Sequence, residues 1–337
     1  MTTVQRITLG YNNVYAVDGD GARLLVDTGP DYRGASQELS AALGDKLPDV
    51  VVATHGHLDH AGLGAFWQQK GVPVGLAPAD FHLAAGPQLA KEWEFEAFSG
   101  YVRSIGAPTD VVDEVLAGLV ARRDWARRAA HREEYPAMGR DHRWPTGLRY
   151  APFLPDHALR DGAHAGARMP LLHSPGHTPG SLVLVEETER WLFSGDQLLP
   201  EITPTPAIQA RASTAGVNSG GSPDDWRLRS LPKFYGSLQR LSKMSFSRCF
   251  PGHGEPFDDV ATVIAANLAQ VEQRSDRVAE QLRVSGNPTL YDLCAALYPR
   301  ALRRRFWQIV ATVQGHCDLL EEEGRVVLRE GRYELKP

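Results

Sequence analysis

Within six consecutive positions, His55-Gly56-His57-Leu58-Asp59-His60, the chain offers three imidazoles and a carboxylate. These are nitrogen and oxygen ligands of the kind that hold zinc-type divalent cations. The apolar run Val50-Val51-Val52-Ala53 just before them reads as a buried strand, and Ala61-Gly62 onward reads as a helix start. Alternate side chains of an extended backbone share a face, so His55 and His57 point the same way. The bend into the helix aims Asp59 and His60 elsewhere. Two ligand pairs facing two places suit a site for two metal ions. A lone histidine is an ordinary surface feature; four ligands in one strand-to-helix loop are not.

Further loops repeat the pattern. His177 sits in the Gly/Pro turn Ser174-Pro175-Gly176-His177-Thr178-Pro179-Gly180, after the strand-like Met169–His173. Asp196 ends the strand Arg190–Ser194 within Ser194-Gly195-Asp196, and His253 follows Phe246–Phe250 within Pro251-Gly252-His253-Gly254. Asp27 lies at the tip of Arg23-Leu24-Leu25-Val26, before Thr28-Gly29-Pro30. Singly, each is as well explained as a turn. Together they place metal-binding side chains repeatedly at strand ends.

The elements that must position these tips follow an α/β order. Asn13–Val17 and Arg23–Asp27 flank Asp18-Gly19-Asp20-Gly21, a hairpin signal. A helix over Ser36–Leu43, the Val50 strand, a helix over Ala61–Lys70 and a strand over Val72–Leu76 come next, and their alternation predicts a layered sheet. From about Phe81 to Trp144 aromatic and aliphatic residues fall at helical spacing, which predicts a helical insertion. Most of its aromatics suit helix–helix core, and its place next to the active loops makes it a candidate lid or substrate wall. His82, His131 and His142 lack ligand spacing and read as ordinary histidines. Strands resume at Met169–His173, Ser181–Val185 and Arg190–Ser194, with loops at Pro200–Pro206 and Gly216–Ser222 long enough to reach a cleft. Helices over Asp225–Lys243 and Asp258–Val284 bracket the last strand.

The tail has its own plan: a helix start at Pro288–Asp292, an amphipathic helix over Phe306–Glu323, and strands Arg325–Leu328 and Arg332–Leu335 around a turn. Helix, helix, hairpin reads as a winged-helix-like module. The division drawn from this is a catalytic domain over 1–260, with the insertion at about 81–144, and a C-terminal domain over 261–337. Arg303-Arg304-Arg305 is offset by Glu321-Glu322-Glu323, so the tail suits a structural or homodimerising role better than nucleic-acid binding.

Composition narrows the function classes. A net charge of −5 over 337 residues argues against a dedicated nucleic-acid binder. No apolar run approaches the ~20 residues that span a bilayer. Met1–Arg6 lacks the layout of an export signal, so a cytoplasmic location is expected. Cys249, Cys294 and Cys317 are odd in number and far apart, which predicts buried small hydrophobes and no disulfide framework.

These motifs, in this order, resemble the metallo-β-lactamase-fold hydrolase superfamily: His55-x-His57-x-Asp59-His60, Gly176-His177-Thr178-Pro179-Gly180, Ser194-Gly195-Asp196, Pro251-Gly252-His253-Gly254 and Val26-Asp27-Thr28-Gly29. The resemblance covers Met1–Phe257 outside the insertion. It implies an αββα sandwich with the metal site at one sheet edge. It also implies that His55, His57 and His177 hold one metal, that Asp59, His60 and His253 hold the other, and that Asp196 bridges them. Asp27 would orient a histidine or the loop. Zinc is favoured over manganese or iron, since diiron relatives carry a glutamate where His57 stands. A hydroxide bridging the metals would be the nucleophile, with Asp59 orienting it and taking its proton.

The expected reaction is metal-assisted hydrolysis of a small, partly apolar acyl substrate, a thioester or ester, with lactones open to the same site. An endoribonuclease or other phosphoester hydrolase, phosphotriesters included, is the alternative. A metal-containing ligand-binding or regulatory protein is the non-enzymatic one, which the intact set of seven ligands disfavours.

Overall fold

The computed structural model describes residues 2–86, 92–129, 143–149, 151–165, 169–204, 207–211 and 226–336. Alternation along the first strands sends apolar side chains to two faces. Strands β1 (Thr3–Leu9), β2 (Asn12–Gly19), β3 (Ala22–Val26), β4 (Val50–Val52), β5 (Val74–Leu76) and β6 (His157–Ala158) form one sheet in that spatial order. β1 to β3 are antiparallel, and β3 to β6 are parallel. The β2–β3 turn is the expected hairpin, with Asp20 and Gly21 both at positive φ. The second sheet runs β11 (Arg248–Pro251), β10 (Trp191–Gly195), β9 (Leu182–Glu186), β8 (Met169–His173), β7 (His164–Ala165).

The faces sort by parity. Tyr15, Val17, Leu24, Val26 and Val52 of the first sheet meet Leu171, Leu184, Phe193 and Phe250 of the second in one buried layer. Their neighbours Val14, Ala16, Leu25 and Val51 face outward beneath α1 (Ala35–Leu43) and α3 (Gly64–Gln69), against Leu39, Leu43 and Trp67. Val183, Val185, Leu192 and Cys249 likewise pack under α7 (Ser230–Leu241) and the start of α8 (Val260–Ser285), against Leu238, Leu241 and Ile264. Helix, sheet, sheet, helix is the expected αββα order. Each fully buried Leu, Val or Phe contributes about 1.5–3 kcal/mol to holding the layers together.

Two expectations shift in detail. The helix expected over Ala61–Lys70 begins earlier and divides, as α2 (Leu58–Ala61) and α3. The break sits at Leu63, whose N–H leaves the helical ladder for Gly29 O and Thr28 Oγ1, both at 3.0 Å. Strand β1 gives little signal in the sequence because it is an edge strand on which only Ile7 and Leu9 are buried.

The insertion contains α4 (Phe81–Ala84), α5 (Glu92–Ser104) and α6 (Thr109–Ala129). The tail contains α9 (Leu290–Leu297), α10 (Phe306–Glu322) and the hairpin β12 (Val326–Arg329)–β13 (Arg332–Leu335). Thr289 caps α9 in a reciprocal box with Asp292, which explains the start read from Pro288–Asp292. Insertion and tail share a core: Phe95, Tyr101, Val102 and Leu119 pack with Val278, Leu293, Val310, Leu320 and Tyr333. Most insertion aromatics are therefore core, as expected. Cys249, Cys294 and Cys317 are buried and free, and burial pushes the Cys249 and Cys294 thiols up to about 12. No helix among the described residues is long and apolar enough to cross a membrane. His131, His142 and the loop Gly216–Ser222 lie outside the described residues, as do positions 205 and 206 of the Pro/Thr-rich loop.

Candidate metal centre

Every sequence-predicted ligand sits just beyond a strand's carboxyl end, and the two sheets bring those ends together. Asp27 follows β3, His55 to His60 follow β4, His177 follows β8, Asp196 follows β10 and His253 follows β11. Asn13 N bonds to Gly252 O at 2.8 Å and Leu182 N to Thr54 O at 2.8 Å, stitching the sheets across their tips.

The donor atoms converge in two groups. His57 Nδ1 lies 3.0 Å from His55 Nε2 and 3.1 Å from His177 Nε2. In the second group His60 Nε2 lies 3.3 Å from His253 Nε2, while Asp59 Oδ2 is 3.9 Å from the former and 3.6 Å from the latter. Asp196 stands between them. Its Oδ2 is 3.3 Å from His177 Nε2, and its Oδ1 is 3.3 Å from His60 Nε2 and 3.4 Å from His253 Nε2. Ligands around a tetrahedral ion with bonds of about 2.0–2.1 Å sit roughly 3.3 Å apart. The spacings among the histidines and Asp196, 3.0–3.4 Å, match that edge length, with Asp59 a little wider, so these residues fit a metal-binding role.

Protonation states favour the same role. Burial, reinforced by the neighbouring imidazoles, holds His55 far below the ordinary histidine range, and burial brings His177 down to about 4. Burial alone would raise the Asp196 and Asp59 carboxyls, but the adjacent histidines, His60 first, hold both low. Neutral imidazoles and anionic carboxylates are the forms that bind cations. His60 is the exception: burial would lower it, but Asp196, Asp27 and Asp59 together raise it well above the usual range. A cation held at Nε2 would take the place of that proton.

On His60, His253 and His55 the ring nitrogen turned away from the convergent atoms is held by the protein. His60 Nδ1 meets Asp27 Oδ2 at 2.8 Å, and Asp27 Oδ1 accepts Thr54 N–H at 2.7 Å. Asp27 thus orients both a histidine and the loop, from a left-handed φ of 67°. A non-glycine residue in that region costs on the order of 1–3 kcal/mol, which the two bonds help offset. His253 Nδ1 meets Tyr11 O at 3.0 Å, its ring stacked on Tyr11 at 4.4 Å, and His55 Nδ1 meets Thr54 Oγ1 at 3.2 Å.

Several supporting residues escape a reading of the sequence. Asn13 Nδ2 donates to Pro251 O and Gly254 O at 3.0 and 2.7 Å and so holds the His253 turn. Gln209 donates to His177 O. Asp80 bonds to both histidine loops. The only hint in the chain is the polar pair Asn12-Asn13 opening an otherwise apolar strand; Asp80 and Gln209 have none. His82 stands apart from the clusters of potential metal ligands, as expected of an ordinary histidine.

The profile of the metallo-beta-lactamase superfamily matches residues 7–120 and 115–253. A probable metallo-hydrolase, YqjP, of Bacillus subtilis (strain 168) is 28% identical over 315 residues, covering 92% of this chain and 88% of that protein. An acyl-coenzyme A thioesterase of Bos taurus is 27% identical over 197 residues, 55% of this chain and 57% of its own length. The crystal structure of a metallo-beta-lactamase family protein from Thermus thermophilus superposes with a TM-score of 0.61 at 26% identity, covering 99% of this chain and 98% of that one. Profile, length-spanning relatives and a clustered donor set agree: the chain is a metal-binding hydrolase-type member of the metallo-beta-lactamase superfamily.

Proposed function

We propose that the protein hydrolyses a thioester or ester, with lactones open to the same site, using two divalent ions, zinc by preference. The carrying observation is Asp196, whose two carboxylate oxygens face different donor groups, Oδ2 toward His177 and Oδ1 toward His60 and His253. His55, His57 and His177 would hold one ion, Asp59, His60 and His253 the other, and Asp196 both. Such a pair, when bound, supplies an acidified water and Lewis-acid polarisation of a carbonyl.

The chain's own residues set the geometry and handle the proton. Asp27 fixes the His60 ring, and Tyr11 stacks on and hydrogen-bonds the His253 ring. The neighbouring histidines keep Asp59 anionic, so its carboxylate can receive the proton released when water adds to the acyl carbon. The C–S or C–O bond then breaks, and the proton leaves with the thiol or alcohol. No serine or cysteine nucleophile is needed. The thioester preference is supported by the thioesterase relative, and the net charge of −5 disfavours a nucleic-acid substrate.

The test is a panel of an acyl thioester, a p-nitrophenyl ester and a phosphodiester, run with added zinc or manganese and with metal analysis. Thioester or ester turnover should appear with about two ions per chain. Asp196→Ala should cut it about 10³-fold, a loss near 4 kcal/mol. Protein without stoichiometric metal would sink the reading, and turnover of the phosphodiester alone would replace it with a phosphoester hydrolase.

A further inference from the structure

We propose that Asp80 is a positioning residue that sets the distance between the two loops supplying the three-histidine group; this rests on the metal-binding reading of that group. Asp80 closes the short 3-10 turn Pro78–Asp80 that follows β5. β5 lies parallel to β4 in the same sheet, so the turn emerges beside the loop that carries His55 and His57. The side chain is fully buried. It reaches across to the other sheet's loop as well.

The carboxylate is shared between the loops. Oδ2 accepts the Gly56 N–H at 2.9 Å, between His55 and His57, and the Thr178 hydroxyl at 2.6 Å, next to His177. Oδ1 accepts the Gly180 N–H at 2.6 Å, at the far end of the His177 turn. Only a carboxylate offers acceptors at both positions. An amide must present its NH2 to one of the N–H donors.

The glycines show how close the approach is. A Cβ on Gly180 would stand 2.7 Å from Asp80 Cγ, and one on Gly56 would stand 2.7 Å from Leu83 Cβ and 3.1 Å from Asp80 O. The His177 loop therefore closes onto the Asp80 side chain, and the His55–His57 loop onto Leu83 and the Asp80 backbone. His57 Nδ1 bridges the gap that Asp80 spans from behind, 3.0 Å from His55 Nε2 and 3.1 Å from His177 Nε2. No described ligand atom belongs to Asp80, so its influence on the metal runs through the loops.

The experiment compares wild type, Asp80→Asn and Thr178→Val, each as the full chain. Zinc affinity is measured by chelator competition, cobalt(II) binding by its visible absorption, and amide exchange at Gly56 and Gly180. Asp80→Asn should weaken zinc binding about 10–100-fold, alter the bands of one cobalt equivalent while sparing the other, and speed exchange at both amides. Thr178→Val removes the hydroxyl's contacts to Asp80 and to Ser181 Oγ, keeps the shape and both amide bonds to Asp80, and should weaken zinc binding roughly 2–10-fold. If Asp80→Asn does not fold, Thr178→Val decides. Wild-type affinity and cobalt spectra in every variant that folds, whatever their thermal stability, would overturn the proposal and leave Asp80 a structural residue. Wild-type protein that binds no zinc would fail the metal reading itself.

Discussion

Two buried polar clusters in this molecule solve the same problem in opposite ways. At the strand tips, His55, His60, Asp196 and His253 are buried with their free lone pairs aimed at one another. In the helical body formed by insertion and tail, Arg227 forks onto Asp318, its Nη2 2.8 Å from Oδ1. Gln314 donates to Asp318 Oδ1 at 2.8 Å and Tyr333 Oη at 3.0 Å, and accepts from Tyr101 at 3.0 Å. Both Nη groups there meet Asp318 oxygens, and the guanidinium stays charged: burial disfavours its proton, but Asp318 more than compensates. The tips instead crowd imidazole nitrogens and carboxylate oxygens around common points. A buried polar group without a partner costs on the order of 1–3 kcal/mol, so the helical body stabilises itself, whereas the tips would be completed by a cation. The first is architecture and the second is a binding site.

The contrast can be broken, most forcefully in the helical body. Asp318→Ala strands a buried guanidinium, and urea unfolding should show a loss of about 3–5 kcal/mol. A wild-type midpoint would mean that the network does not hold insertion and tail together.

A second test uses pH. Burial, then Arg274, brings His316 down to about 4 from 6.5. The unfolded chain therefore takes up this proton first as pH falls. The stability present above 6.5 should drain away between pH 6.5 and 4, by on the order of 3 kcal/mol from this group. His316→Gln, which keeps a partner for Ser275 Oγ, now 2.8 Å from Nδ1, should show that much less dependence than wild type across the same window. Equal slopes would place His316 in a wetter setting than its burial indicates.

The smallest effect tests the tips. Asp27→Asn weakens the grip on His60 Nδ1 and should cost about 10–100-fold in zinc affinity by chelator competition. Its unfolding midpoint in chelator should move far less than that of Asp318→Ala. A reversed ranking would erase the distinction between the two clusters.

How much could be read beforehand follows the same divide. His55 to His60 lie within one turn of chain, and the strand before them and the helix after them declare themselves by periodicity, so both the donors and their divergence were legible locally. His177, Asp196 and His253 were legible because each stands in a Gly/Pro turn at a strand end. Asp80 was not: an aspartate after Ala77-Pro78-Ala79 looks like any turn residue until parallel pairing of β4 and β5 sets it beside Gly56. The shared core of insertion and tail was hidden for the same reason. The apolar stripe on α5 says that a face must be buried, and α10 says the same, yet nothing local says that Tyr101 meets Gln314 across 213 positions of sequence.

The chain alone determined the candidate donor set, because metal ligands are a matter of residue type and local setting: one tight cluster and three turns at strand ends. It also determined the two-faced strands, because alternation is local. Only the tertiary structure decided which oxygen of Asp196 faces which donor group, which side chains brace the ligands from behind, and that the insertion rests on the tail. Those depend on contacts between distant segments, which burial rewards but no local pattern records.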